Sequence, residues 1–187
     1  MSHRAQLDPD RLLEHANRLL KQGGLDSRGR PYDIDLRRSV SASYYALFHA
    51  LSLATADKVF GTSTAAQEHA VRWLNHGDID GASKQVVAFD QNPTINPKQS
   101  PEKRAVWMLL THEPPSARIV NVAQQFSALM ALRHEADYDS SVRISKPVAL
   151  QAYGDADAAV ADLRASSEQE RSAYLGLIAF AARRLKT

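Results

Sequence analysis

The sequence predicts an all-α protein, and three observations carry that expectation. Apolar residues recur at steps of three and four, the period of one helix face. Capping and stop signals bracket the periodic segments. The alternation that marks a half-buried strand is nearly absent.

The first helix starts at Asp8-Pro9, with Asp as N-cap and Pro at the first helical position. Its stripe is Leu12, Leu13, Ala16, Leu19 and Leu20, and Gly23-Gly24 is expected to stop it. "LDSRGRPYD" reads as a loop. A long second helix is expected from Ile34 to Ala56, and a third over Ala65 to Asn75, ending at Gly77. Asp80 to Phe89 reads as a short helix. The texture then changes. The stretch "DQNPTINPKQSPEKRAVWMLLTHEPPSAR" holds five of the eight prolines and reads as a loop-rich insertion over 90–115, with a short helix at Glu102 to Leu110. The core helix resumes over Ser116 to Tyr138. "SSVRISKPV" follows as an extended loop, and closing helices cover Asp155 to Ala165 and Glu168 to Leu185. The helices Asp8–Gln22, Ile34–Ala56 and Ser116–Tyr138 have the periodicity of a bundle core. Trp73 and Trp107 are expected to pack inside.

A chain of 187 residues fits a single domain and can bury a real core. The formal charge of +2 gives no overall basic footprint, so nucleic-acid binding would have to come from a local patch. The chain has no cysteine, which excludes disulfides, thiolate zinc sites and a cysteine nucleophile, and fits a reducing cytoplasm. The first residues lack the apolar core of a signal peptide, and no window reaches an uncharged apolar run of about 18 residues, so no membrane span is expected.

Two segments carry polar groups where helical periodicity makes them conspicuous. In "ARIVNVAQQFSALMALRHEADYD" the stripe Ile119, Val122, Phe126, Leu129 and Met130 continues into Arg133 and Asp137. A charged pair at i,i+4 on a buried stripe is either a clamp that fixes helix packing or the lining of a cleft. His134 and Tyr138 lie to one side, where partial exposure is expected. In "RRSVSASYYALFHALSLAT" the apolar stripe is Leu36, Val40, Tyr44, Leu47, Leu51 and Ala54. Ala42, Tyr45 and His49 fall within roughly 40° of Arg38 on the far side, at about 100° per residue. That stripe, spaced by small Ser41 and Ala42, is either a solvated face or a polar cleft.

Other signals point to structure. The seven histidines, including His69 and His76 two turns apart and His134 with Asp137 at i,i+3, lack the ligand spacing of a metal motif. No metal site or cofactor is expected. "SRGRPYD" lacks the Walker pattern, no nucleophile elbow supports a Ser-His-Asp hydrolase, and "ARRLK" places cations where a helix dipole favours them.

The motifs "RSVSASYYALFHA", Arg38 to Ala50, and "RHEADY", Arg133 to Tyr138, together resemble the HEPN superfamily, helical domains named for higher eukaryotes and prokaryotes nucleotide-binding. More narrowly, they are similar to a prokaryotic family that pairs a YYA helix with a later R-x-x-ADY. "HAVRWL", from His69, fits the start of that family's third helix loosely. The resemblance covers the helices between about Asp8 and His76 and the stretch from Ser116 onward. It implies an antiparallel four-to-five-helix bundle, often a homodimer. It also implies a link to RNA or nucleotide binding. Catalytic members are metal-independent ribonucleases with an R-x(4–6)-H motif, and many are toxins paired with a nucleotidyltransferase-type antitoxin in defence settings. Here the position of the later histidine is taken by Asp137-Tyr138, and His134 adjoins the arginine, so that motif is not intact. Carried onto this chain, the resemblance makes Arg133, His134 and Asp137 the candidate catalytic residues. Arg38, Tyr45, His49, His69 and Tyr138 are the candidate binding residues. The alternative is a non-enzymatic homodimeric protein-interaction module.

Overall fold

The computed structural model describes residues 8–22, 24–61, 63–91 and 101–181. Those residues form eight α-helices: α1 (Pro9–Gln22), α2 (Asp33–Phe60), α3 (Thr64–Trp73), α4 (His76–Gln91), α5 (Pro101–Thr111), α6 (Ala117–Tyr138), α7 (Lys146–Ala165) and α8 (Glu168–Ala181). Among the described residues there is no strand, only an isolated antiparallel bridge between Leu25 and Pro31. The chain is an all-α bundle, as the periodicity predicts. No helix among the described residues is long and apolar enough to cross a membrane.

Local chemistry sets the boundaries. Asp8 caps α1: its Oδ1 accepts the Asp10 amide at 2.9 Å. Of the Gly23-Gly24 pair expected to end α1, Gly23 lies outside the described residues. Gly24 is required by its neighbour, because a Cβ there would sit 2.6 Å from the Tyr32 ring. The connector to α2 is built on Asp26. Its carboxylate accepts the Arg28 and Arg30 amides and both Nε and Nη2 of Arg30. The Arg30 contacts, then the Arg28 amide, lower the Asp26 carboxyl to about 2.

Three expectations are corrected. Gly77 does not end α3; it lies in the first turn of α4. Asn75 is the reason, because its Oδ1 accepts the Asp78 amide at 2.9 Å and so starts a new helix ahead of the glycine. The segment "SKPV" is not an extended loop. Ser145 leads into α7, with the Ala149 amide on its carbonyl at 3.0 Å. Pro147 falls in the first turn, where its missing N–H costs nothing. Finally, Trp73 is not a core residue. It is 65% exposed at the last position of α3, edge-on to Phe60, whereas Trp107 is 1% exposed and packs near Phe89. Part of the insertion read at 90–115, residues 92–100, and the C-terminal residues 182–187 lie outside the described residues.

By its internal contacts the chain divides into two units. One is Met1–Ala50 with Ala128–Val160; the other is Leu51–Ser127 with Ala161–Thr187. In the first unit, Leu13, Ala16 and Leu20 of α1, Leu36, Val40, Tyr44 and Leu47 of α2, and Leu129 of α6 are buried. The Ser39 hydroxyl ties α2 to α1 through the Ala16 carbonyl at 3.0 Å. In the second unit the core includes Ile79, Val86, Phe126 and Ile178. There Ser83 donates to the Ile79 carbonyl at 2.7 Å and lies 2.6 Å from the Tyr174 hydroxyl. A hydroxyl has one proton to give, so Tyr174 is the donor to Ser83. Burial drives the Tyr174 phenol far above its ordinary range.

The α2 segment in the first unit explains why that helix shows little one-sidedness. Every residue from Ser39 to Tyr44 is buried, as are Ala46 to Phe48. The stripe opposite the core is therefore not a solvated face over its middle. Ser41 and Ala42 are both buried there, and the Ser41 hydroxyl meets Asp137 of α6.

Candidate functional site

The helix against that stripe is the end of α6, and the contacts show the two running antiparallel. Arg37 reaches the carbonyls of Ala136 and Asp139, Ser41 reaches Asp137, and Tyr45 reaches Arg133. From Ser41 to Tyr45 the α2 number rises by four while the α6 number falls by four, from Asp137 to Arg133, and Arg37, a turn earlier on α2, takes carbonyls at and just beyond the end of α6. That is why the polar residues of two separate sequence segments meet.

The contacts form a chain of polar groups. The Ser41 hydroxyl donates to Asp137 Oδ1. Asp137 Oδ2 lies 2.7 Å from Arg133 Nε, with both side chains less than one fifth exposed. That Nε is buried and its N–H is not aligned on an acceptor, so the contact acts as an ion pair rather than a formed hydrogen bond. Arg133 Nη2 does make an aligned bond, to the Tyr45 hydroxyl at 2.6 Å. Three rings surround the guanidinium, with centroids 5.1 Å (Tyr138), 5.3 Å (Tyr45) and 6.0 Å (Tyr44) from its carbon. Burial opposes the Arg133 charge, but Tyr45, Asp137 and Tyr138 outweigh it, and the net effect raises its pKa. Arg133 is a cation at every accessible pH.

Next to this chain a cleft of about 520 Å³ opens between the start of α2 and the end of α6. Asp33, Ile34, Arg37, Arg38, Ala136, Asp137, Tyr138 and Ser140 line it. Its charges are mostly spent. Arg37 pairs with Asp33 and donates to carbonyls at the end of α6 and in the following loop, among them Ala136 at 2.9 Å and Asp139 at 3.0 Å. Asp137 is held by Arg133 and Ser41. Arg38 is exposed and makes no ion pair or hydrogen bond among the described residues. The loop that carries Ser140 is pinned by Asp139, whose carboxylate accepts the Ser141 hydroxyl at 2.6 Å and amide at 2.9 Å. Those bonds, with Arg37 adding to them, lower the Asp139 carboxyl.

The structure thus brings together most of the residues singled out in the sequence. Arg133, Asp137 and Tyr45 form the polar chain; Arg38, Asp137 and Tyr138 line the cleft. His134 is exposed, with its ring 5.0 Å from that of Tyr138. His49 stacks on Tyr45 at 6.2 Å and meets Phe48 edge-on at 5.2 Å, so it borders the polar chain and does not line the cleft. His69 is exposed on α3 and belongs to the other unit. Among the described residues no group of three His, Cys, Asp or Glu could hold a metal ion.

Two residues that matter here are not singled out by the sequence pattern. In the sequence Ser41 reads only as a spacer. Arg37 falls between the two stripes of α2, so periodicity assigns it no partner. One signal was available: a cation in the first turns of a helix opposes the dipole, and Arg37 gains by serving the C-terminal end of another helix. Against protein-family models, curated proteins and solved structures, the chain finds no match.

Proposed function

We propose that the cleft between α2 and α6 binds a phosphate-bearing ligand, an RNA segment or a nucleotide, in an HEPN-like helical module. The observation that carries this reading is Arg38, the one lining residue whose charge is unspent, in a cleft also lined by the exposed ring of Tyr138, which His134 contacts in turn. A guanidinium suits phosphate, and flat rings suit a base. The pairing of Arg133 with Asp137 favours binding over cleavage, because the arginine of the disrupted motif is already engaged. In a cleaving version, His134 is the imidazole for the 2′-hydroxyl and Arg38 the cation for the phosphate. The HEPN resemblance adds a homodimer and a nucleotidyltransferase-type antitoxin partner to this reading. The test is fluorescence anisotropy of a short oligoribonucleotide and of adenosine monophosphate. Arg38→Ala should weaken binding about tenfold or more, the worth of a hydrogen bond to a charged group. Unchanged binding in an Arg38→Ala, Arg133→Ala double variant would rule the function out. Growth arrest on induced expression, lost in the same variants, is the expected sign of a toxin.

A second reading, a non-enzymatic homodimeric interaction module, draws on α5, which exposes Val106, Leu109 and Leu110 along one face. Sedimentation of the chain with and without Leu109→Asp tests it; a monomer in both cases counts against it.

A further inference from the structure

The charges around the cleft pair off with one left over. Asp33 is matched by Arg37, and Asp137 by Arg133 behind it, which leaves Arg38 as a single surplus cation among the lining residues. The two carboxylates are unequal. The Asp137 side chain is 19% exposed and is gripped by Arg133 and by the Ser41 hydroxyl. The Asp33 side chain is 44% exposed, and only its Oδ2 is bonded, to Arg37 Nε. Its Oδ1 makes no hydrogen bond among the described residues. Arg37 cannot turn to a ligand, because its remaining nitrogens are spent on the Ala136, Asp139 and Val142 carbonyls. A ligand in the cleft therefore meets one free cation and one open carboxylate.

We propose that Asp33 makes the cleft a charge filter. The cleft takes a phosphate with one negative charge, a diester, and disfavours monoesters and polyphosphates. This rests on reading the cleft as a phosphate site, and it deepens that reading by naming the class of phosphate. A diester carries one charge, which Arg38 balances. A monoester carries about −1.5 to −2 at neutral pH. Its second charge finds no free cation among the lining residues and is repelled by Asp33.

The dimensions let that repulsion be felt. A cleft of about 520 Å³ is about 10 Å across, no wider than the distance over which salt at about 0.1 M screens a charge. At such separations one added charge changes an equilibrium constant about two- to fivefold in a solvent-open site. The other walls do not vote on charge. Ile34 and Tyr138 line the cleft, are exposed, and offer a base the same apolar surfaces whatever phosphate it carries. Two ligands that share a base and differ only in phosphate charge therefore isolate the filter.

The experiment titrates adenosine monophosphate and its 5′-phosphate methyl ester into the full chain and follows backbone amide shifts by NMR, with circular dichroism as the check on folding. The ester, a diester, should bind about two- to fivefold more tightly than the monophosphate. Adenosine di- and triphosphate should bind no more tightly than the monophosphate. Cyclic adenosine monophosphate and a diadenosine joined by one diester should both bind more tightly than the monophosphate, and their order names the natural source. Asp33→Asn should close the gap between ester and monophosphate. Ile34→Asp, which adds a second open carboxylate at an exposed position, should widen it, and this arm stands even if Asp33→Asn does not fold. Binding of both ligands that ignores Arg38→Ala overturns the cleft reading and the filter with it. Binding that needs Arg38 but is equal or tighter for the monophosphate overturns the filter alone. So does a gap that neither Asp33→Asn nor Ile34→Asp changes.

Discussion

Substituting Arg133 with Met, which keeps much of the side-chain bulk, tests the polar chain directly. The change removes the aligned bond to Tyr45 at 2.6 Å and the ion pair with Asp137 at 2.7 Å. Asp137 is left with the Ser41 hydroxyl, and its side chain is only 19% exposed. Breaking a buried pair by removing one partner costs about 3–5 kcal/mol. Residual exposure on both sides and the retained Ser41 bond bring the expectation down to about 2–3 kcal/mol, the range for a lost hydrogen bond to a charged group. For a chain of this size each kcal/mol moves the melting temperature by about 2–4 °C, so Arg133→Met should melt about 4–12 °C lower. Asp137→Asn should cost less, because the amide still accepts from Ser41. The assay is thermal melting by circular dichroism, run as a double-mutant cycle. A positive coupling energy between the two positions is expected, since each loses its value without the other. If both single variants melt within a degree of wild type, or the cycle shows no coupling, the pair is not a clamp.

Three further outcomes follow from the geometry. Arg37→Ala should loosen the end of α6 and the loop after it, because Arg37 donates to the Ala136, Asp139 and Val142 carbonyls; amide exchange should quicken over residues 136–142 and stay unchanged in α1. Glu168 is lowered from 4.5 to about 2 by its bonds to Lys58 and Arg171, so its contribution is present above pH 4.5 and lost as the pH falls through 2. The urea midpoint should therefore drop between those values, and less steeply in Glu168→Gln. Tyr174→Phe should cost about 1–2 kcal/mol by leaving Ser83 without its donor. In an alkaline titration of wild type, Tyr174 should stay protonated until unfolding, because burial holds its pKa above the ordinary 10.0 and its contribution is lost only as the pH rises past that value.

Much of the fold was legible because helix boundaries are local. Asp8-Pro9 starts a helix by its own chemistry, and the stripe Ile119, Val122, Phe126 and Leu129 is buried as its period demands. Where the reading missed, two local rules competed. Gly77 could end a helix or sit in a first turn, and the cap at Asn75, which decides it, has its partner Asp78 three residues on. Pro147 could mark extended chain or a helix start, and Ser145 decides it. Hydrophobicity alone places Trp73 in a core, but a residue at the end of a short helix need not face one. The site was legible only in halves. The sequence shows Arg133 and Asp137 on a stripe that calls for core, and Tyr45 on the side of α2 away from Val40. That Tyr45 answers Arg133 is a matter of which helices are neighbours, and no periodicity contains it.

The register between α2 and α6 also explains why charge is distributed as it is. Arg37, Ser41 and Tyr45 are spaced by one turn and all face α6, so each is consumed by a partner there. Arg38, about 100° round the helix from Arg37, makes none of those contacts and keeps its guanidinium at the cleft. Two adjacent arginines thus take opposite roles: one holds a helix end and the other stays available. Exchanging their surroundings is not possible by side-chain motion, because Arg37 is fixed by Asp33 and several carbonyls. Arg38→Ala should therefore leave the melting temperature within about 1 °C of wild type, as for a surface change that disturbs no packed contact, while weakening phosphate binding. A large loss of stability in Arg38→Ala, measured by the same melting assay, would show that its charge is spent in the folded chain after all and would remove the basis for the cleft as an anion site.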